Sequence, residues 1–424
     1  MDLIIRQAKL RDQDTLVDIG IHDGSFVKIK PNINDNATKE INANGNLVSP
    51  PFIESHVHLD DALSVGSPRF NKSGTLQEAI SIASDRKTTI SIGEVKQNAT
   101  QVIKWLVANG VLKIRAHTDF TPDFTKLKAI LEVKESLKDI IDIQVVAFPQ
   151  EGIFVQQNAK MLLEEAVKMG ADVIGGLPQA EITREDGIEQ IRYIFKLAET
   201  YDKLIDIHTD ETGDNQSRYL EVIAKYALRY NMPGRVTASH TTALHNYQND
   251  YAAKVIGHVK EAEMNIVTNP FSNAILQNRL DGYPKFRGVT RVDELLDARI
   301  NVSIGNDNIM DPFGPLGRGS MLQAAHLLAH TAHLTNNDQL NSLFSMITNY
   351  GAATLYTEDY GIEVGLPADC IILDAKSQCE AIRLTSECLY VIRRGTIIVE
   401  TQPAKRTLRI NGEHHDVDFK LNQH

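Results

Sequence analysis

The stretch Ile53-Glu-Ser-His-Val-His-Leu-Asp60 ends an apolar run, Leu47-Val-Ser-Pro-Pro-Phe-Ile53, with two histidines two positions apart. Side chains at i and i+2 of a strand share a face. His56 and His58 can therefore reach one point in space, as two ligands of one metal ion must. Imidazole suits zinc, iron and related divalent ions. Two polar histidines at a strand end would look the same in isolation, so the reading depends on what the rest of the chain brings to them.

Outward from this stretch, residues 49–360 alternate strand-like and helix-like segments. Lys113–Phe120, Asp142–Phe148, Asp172–Leu177, Lys203–His208, Arg235–His240, Asn265–Asn269 and Ile300–Ile304 read as strands. Helical spacing occupies Thr125–Lys138, Gln156–Met169 with Gly170 as its stop, Thr183–Tyr201, and the regions near 216–230, 249–263 and 291–298. Thr183-Arg-Glu-Asp186 has the character of a capping box. With the run into His56, the strands number eight, which predicts an α/β fold of the (β/α)8 TIM-barrel type. A doubly wound open sheet is the alternative. The barrel is preferred because polar residues stand at the C-terminal ends of nearly all the strands: His56 and His58, His117 and Asp119, Gln150, Gln179, His208, His240, Asn269 and Asp307. A barrel brings those ends to one mouth, whereas an open sheet spreads them along an edge.

The flanks read differently. Asp2–Leu10 and Leu16–His22 are short strands, with turns at Asp23-Gly24 and Asn42-Ala-Asn-Gly45. Cys370–Asp374, Leu389–Arg393 and Thr396–Glu400 have the same character. Residues 1–48 and 361–424 are therefore expected to share one small β-sandwich domain beside a catalytic barrel of 49–360. The 424 residues, 42% apolar and 23% charged, are an ordinary globular mix. A net charge of −11 argues against nucleic acid and anionic membrane surfaces as partners. No run of 18 or more apolar residues suggests a membrane span, and Met1-Asp-Leu-Ile-Ile-Arg-Gln7 lacks the layout of a signal peptide. The cysteines, Cys370, Cys379 and Cys388, are odd in number and sparse, which suits a reducing, cytoplasmic setting. Barrels of this size often form homo-oligomers, but no interface is identifiable from the residues.

Four groups make a plausible mononuclear site: His56, His58, His208 and Asp307. Three neutral imidazoles and a carboxylate around one divalent ion leave a place for water, whose pKa falls toward neutrality. Glu211, three residues past His208, could carry a proton from that water to a leaving nitrogen, given partial burial. His240 could hold or polarise the attacking water. Gln150 and Gln179 each offer a donor and an acceptor suited to an amide-like ring edge. His326, His330 and His333 have i, i+4, i+7 spacing, but with no acid beside them they read as packing groups.

His56-Val-His-Leu-Asp60, Phe148-Pro-Gln-Glu-Gly152, His208-Thr-Asp-Glu211 with Asn215-Gln-Ser-Arg218, Ser239-His-Thr-Thr242 and Asp311-Pro-Phe-Gly-Pro-Leu-Gly317 resemble the bacterial cytosine deaminases of the amidohydrolase superfamily. The likeness spans almost the whole chain. It implies one Fe or Zn ion on His56, His58, His208 and Asp307, Glu211 as proton shuttle and His240 near the nucleophilic water. It places Gln150 on the substrate carbonyl and ring N–H. It also implies departures. Gly305-Asn-Asp-Asn308 stands where that family has Gly-His-Asp-Asp, so the substrate-facing carboxylate is the amide of Asn308. Phe313 replaces a pocket tryptophan, and Leu177-Pro-Gln-Ala180 replaces Pro-His-Phe. The expected activity is hydrolytic deamination of a small nitrogen heterocycle, cytosine or a close analogue, within pyrimidine metabolism. An aminotriazine, N-alkylamine or cyclic-amide hydrolase of ammelide or creatinine type is the alternative. A non-catalytic binding protein is a third reading, which loss of ligands would have favoured.

Overall fold

The eight strand-like segments of the middle region pair in sequence order into one parallel sheet: Phe52–Val57, Val111–Asp119, Asp142–Phe148, Val173–Gly176, Leu204–Thr209, Val236–His240, Asn265–Thr268 and Asn301–Ile304. The computed structural model describes residues 1–11, 13, 15–279, 281–283 and 285–421. The last strand curls back to the first. Val57 and Asp307 form a parallel bridge, the His58 N–H donates to the Asp307 carbonyl at 2.8 Å, and the Asp307 N–H donates to the His56 carbonyl at 2.8 Å. The barrel of the sequence reading is thus the observed architecture, and the open-sheet alternative is not. Gly305 permits the seam. A Cβ there would lie 2.6 Å from the His56 carbonyl oxygen and 2.5 Å from Asn269 Oδ1, too close for any side chain.

Helices wrap the outside and bury their apolar faces on the strands in one continuous core, with Ile114, Ile174, Phe195, Ile207, Ile223, Val255 and Val302 all under 1% exposed. Their starts follow from named caps. Thr183 Oγ1 accepts from the Asp186 N–H at 3.1 Å and opens the helix Arg184–Tyr201. The helix expected near 216 begins at Leu220, because the Asp210 carboxylate accepts from the Tyr219 and Leu220 N–H groups, both at 2.9 Å. The helix expected from Gln156 begins at Ala159, after left-handed Asn158. Helices Leu76–Lys87 and Ile92–Ala108, which the sequence reading did not identify, fill the long connection after the first strand. The short helix Asn349–Thr354 closes the barrel's N-terminal end. Its terminal carbonyls, Thr354 O and Leu355 O, accept from Arg115 and Gln144 at 2.7 and 2.6 Å.

Two four-stranded sheets built from both chain ends form a separate domain. One runs in the order Ser25–Lys30, Val17–His22, Leu3–Ala8, Lys39–Asn42; the other in the order Thr396–Glu400, Cys388–Arg393, Cys370–Leu373, Val48–Ser49. Strand alternation decides what each face covers. Cys370 and Ile372 pack with Leu3, Ile5, Ile19 and Ile21 of the facing sheet, while Ile371 and Leu373 join the barrel-side core. A strand buried on both faces reads as an unbroken apolar run, as Cys370-Ile-Ile-Leu373 does. Arg393 ties the two bodies together, donating to Asp369 at 2.6 Å and to Asp142, at the foot of the third barrel strand, at 2.6 Å. The hairpin Thr407–Ile410 and Glu413–Asp416 forms an exposed two-stranded sheet of its own.

Candidate metal centre and substrate pocket

The C-terminal ends of the strands meet at one mouth. Of the side chains singled out in the sequence, His58, Gln150, Gln179, His208, Glu211, His240, Asp307, Asn308 and Phe313 line a single cavity of about 910 Å³. His56 is wholly buried beneath it.

Deep in the cavity, ring nitrogens and carboxylate oxygens converge. His58 Nε2 lies 3.2 Å from His208 Nε2 and 3.3 Å from Asp307 Oδ1, and His56 Nε2 lies 3.4 Å from the same Asp307 oxygen. Donor atoms about 2.0–2.1 Å from a tetrahedral ion stand about 3.3–3.4 Å apart. The observed edges fit that figure. His56 Nε2 has no hydrogen-bond partner among the described residues, although it is buried, and such a nitrogen is costly unless something else binds it. The residues present therefore fit a divalent cation. Electrostatics agree. Burial holds His56 down to about 4 and His208 well below the usual imidazole range, so both offer lone pairs. Burial opposes a charge on His58 too, but the Asp307 carboxylate beside it outweighs burial and raises it to about 9. Asp307 itself, against burial, is held well below the carboxylate range by His240, His56 and His58.

Local structure sets these groups in place. Asp60 accepts from the Asp119 N–H at 3.0 Å, and Asp61 pairs with Lys126 at 2.5 Å and Arg86 at 3.3 Å, which pins the turn after His58. Glu211, His240 and Asp307 form a second convergent group. Burial, then the nearby Asp307 charge, raises Glu211 well above the usual carboxyl range. Gln277 Nε2 donates to its Oε1 at 3.2 Å. His240 Nδ1 accepts from Asn273 Nδ2 at 2.9 Å and lies 3.7 Å from Glu211 Oε1. The Asn308 amide is fixed at both ends: Oδ1 accepts from Ser272 Oγ and Nδ2 donates to Asp311 Oδ2, each at 2.8 Å. Phe313 packs with Leu276, Ala79 and Ala83, giving the cavity an apolar wall. Gln150 is nearly buried and Gln179 half-buried, with Oε1 of Gln179 unpartnered among the described residues.

Other groups at the cluster were not singled out beforehand. His117, noted only as a polar strand end, stacks on His56 with centroids 3.8 Å apart. Glu54, at the seam, accepts from the His56 N–H at 3.1 Å and from Asn306 Nδ2 at 2.6 Å. Ser239 and Asp206 stand behind His56. A charged residue inside an otherwise apolar strand is the signal that could have found Glu54, Asp206 and Arg115. Of the three helix-region histidines only His326 has the interhelical contact expected, its Nδ1 meeting the Ile382 carbonyl at 3.0 Å; His330 and His333 are exposed, and His330 Nδ1 meets the His326 carbonyl of its own helix at 2.9 Å.

Comparison with known proteins places this geometry. A family model for the amidohydrolase family matches residues 94–399. The crystal structure of 5-methylcytosine deaminase from Klebsiella pneumoniae, liganded with 5-fluorocytosine, superimposes with a TM-score of 0.93 at 39% identity, covering 97% of this chain and all of that one. N-isopropylammelide isopropyl amidohydrolase of Pseudomonas sp. strain ADP is 35% identical over 95% of this chain and 98% of its own. Pterin deaminase of Rhizobium rhizogenes is 29% identical over 85% of this chain and 83% of its own.

Proposed function

The chain belongs to the amidohydrolase family, and from that premise we propose that it hydrolyses the exocyclic amine of a cytosine-type pyrimidine, releasing ammonia and leaving a ring carbonyl. The class, a hydrolase of C–N bonds in heterocycles, follows from its relatives. The observation that carries the finer reading is the 39% identity with a 5-methylcytosine deaminase across nearly the whole chain, joined to a cavity lined by all the candidate groups but His56, which lies buried beneath it.

In this reading His56, His58, His208 and Asp307 hold one divalent ion, zinc or iron. Once bound, such an ion lowers the pKa of water and supplies a nucleophile at neutral pH. The chain's own groups do the rest. His240, beside Glu211 and Asp307, holds the attacking water. Asp307 accepts the proton that water gives up. Glu211, protonated before attack, delivers its proton to the ring nitrogen, then relays the proton held by Asp307 to the departing amine, which leaves as ammonia. Gln150 takes the ring carbonyl and the neighbouring N–H with its donor and acceptor. Phe313 and Leu276 offer an apolar surface to a ring substituent, which supports acceptance of a 5-methyl group. The enzyme would act in pyrimidine metabolism; Cys370, Cys379 and Cys388 are free thiols, in keeping with a cytoplasmic setting. No helix among the described residues is long and apolar enough to cross a membrane.

A second reading, removal of an alkylamine from a triazine, is favoured by the 35% identity with the ammelide hydrolase and by the amide at Asn308. The two separate in one assay. Metal-loaded enzyme is offered cytosine, 5-methylcytosine, isocytosine, creatinine and N-isopropylammelide, and ammonia and alkylamine are measured. Ammonia from cytosine or 5-methylcytosine at the highest kcat/KM is the expected result. Isopropylamine as the dominant product, with pyrimidines inert, would overturn it.

A further inference from the structure

We propose that Asp206 is a positioning residue: through Ser239 it holds His56 as the Nδ1–H tautomer, with the Nε2 lone pair turned toward the metal site. The argument follows the direction of each donor. Arg115 lies inside the barrel, about 1% exposed. Its guanidinium donates to Asp206 Oδ2 and Thr237 Oγ1 at 3.0 Å each, to Gln144 Oε1 at 3.1 and 3.0 Å, and to the Thr354 carbonyl at 2.7 Å. These bonds use all the guanidinium's donors, and an arginine has no acceptor to offer. It is also permanently charged, so the carboxylate it pairs with is kept ionised and acceptor-only. The hydroxyl hydrogen of Ser239 must then go to Asp206 Oδ1, 2.7 Å away. His117 Nε2 lies 3.6 Å from Asp206 Oδ2, beyond hydrogen-bond reach, and takes no part in this chain.

With its hydrogen committed, Ser239 Oγ has only a lone pair for His56 Nδ1, at 3.0 Å. The ring proton therefore sits on Nδ1. Nε2 is left with a lone pair, no partner among the described residues, and a position 3.4 Å from Asp307 Oδ1. That is the protonation state a metal ligand needs, and an outer partner that fixes it also raises the ring's basicity. The four groups form one chain from the barrel floor to its mouth, Arg115 to Asp206 to Ser239 to His56.

The inference rests on the reading that His56 is a ligand, so the test has separate arms. The tautomer is read directly in metal-free protein labelled with 15N-histidine, with His56 assigned by its absence in H56A. Nδ1 protonated and Nε2 bare is expected in the wild type; the reverse overturns the proposal. Zinc affinity is then measured by chelator competition. Ser239→Ala should bind zinc about 10- to 100-fold more weakly, at near-wild-type circular dichroism and Tm. Affinity within about twofold of wild type in that variant would show that Ser239 merely packs, and would also overturn the proposal. If instead H56A binds zinc as tightly as wild type, the ligand assignment falls while the tautomer result still stands.

Discussion

His240 and Asp307 sit on left-handed backbone, at φ of 71° and 65°. Both are non-glycine residues in a region that costs about 1–3 kcal/mol, and such outliers gather at functional sites. Ser239 already faces the barrel interior, so strict alternation would turn its neighbour His240 outward; the positive φ turns it back to Glu211 and Asp307. This explains what was legible here. The His56/His58 pair, His208 and Asp307 follow strand ends and could be read from spacing. The orientation of His240 depends on a backbone exception that spacing does not encode, and Arg115, Asp206 and Ser239 act through partners some 30 to 240 positions away. Glu211 and His208 yield contrasting expectations. Glu211→Gln should retain metal, by elemental analysis, yet lose about 10²- to 10⁴-fold in kcat, the usual worth of a proton carrier. His208→Ala should lose the metal itself. Near-wild-type turnover in the first variant, or unchanged metal content in the second, contradicts the assigned role.

Helices and strands were legible to differing degrees, for reasons of local chemistry. Thr183 marks its helix start openly because the cap lies three residues from its partner. The start at Leu220 is hidden because its cap, Asp210, belongs to the preceding strand's exit loop. Leu76–Lys87 escaped notice because only Ala79, Ile82, Ala83 and the charged Arg86 are buried, a weak apolar stripe. The strand Cys388–Arg393 ends on Arg393, whose side chain is 3% exposed and faces Asp369 and Asp142. Arg393→Met should cost about 2–3 kcal/mol of unfolding free energy, because Asp369 is left buried without its partner while the more exposed Asp142 keeps Lys113. Urea denaturation measures this, and a change below about 0.5 kcal/mol would mean that the tie between sandwich and barrel is dispensable.

At the scale of the whole molecule, the contacts that hold the sandwich to itself and to the barrel lean on carboxylates. Against burial, Arg393 and Lys113 lower the pKa of Asp142, and Arg6 with the Ile33 and Gln7 N–H groups lowers that of Asp18. A folded-state pKa below the unfolded one means stability that is present above about pH 4 and lost as pH falls through the folded value. Tm is therefore expected to drop steeply below about pH 4, and D18N and D142N should each flatten that acid limb while lowering Tm at pH 7. An acid limb unchanged by both variants would place the sensitivity elsewhere. The joining of the two chain ends has one more consequence. Val48 pairs with Ile372, so during synthesis this edge waits for 324 further residues to leave the ribosome. At about 5–20 residues per second, Leu47 and Val48 remain uncovered for on the order of 15–60 s, until the strand that pairs with them arrives.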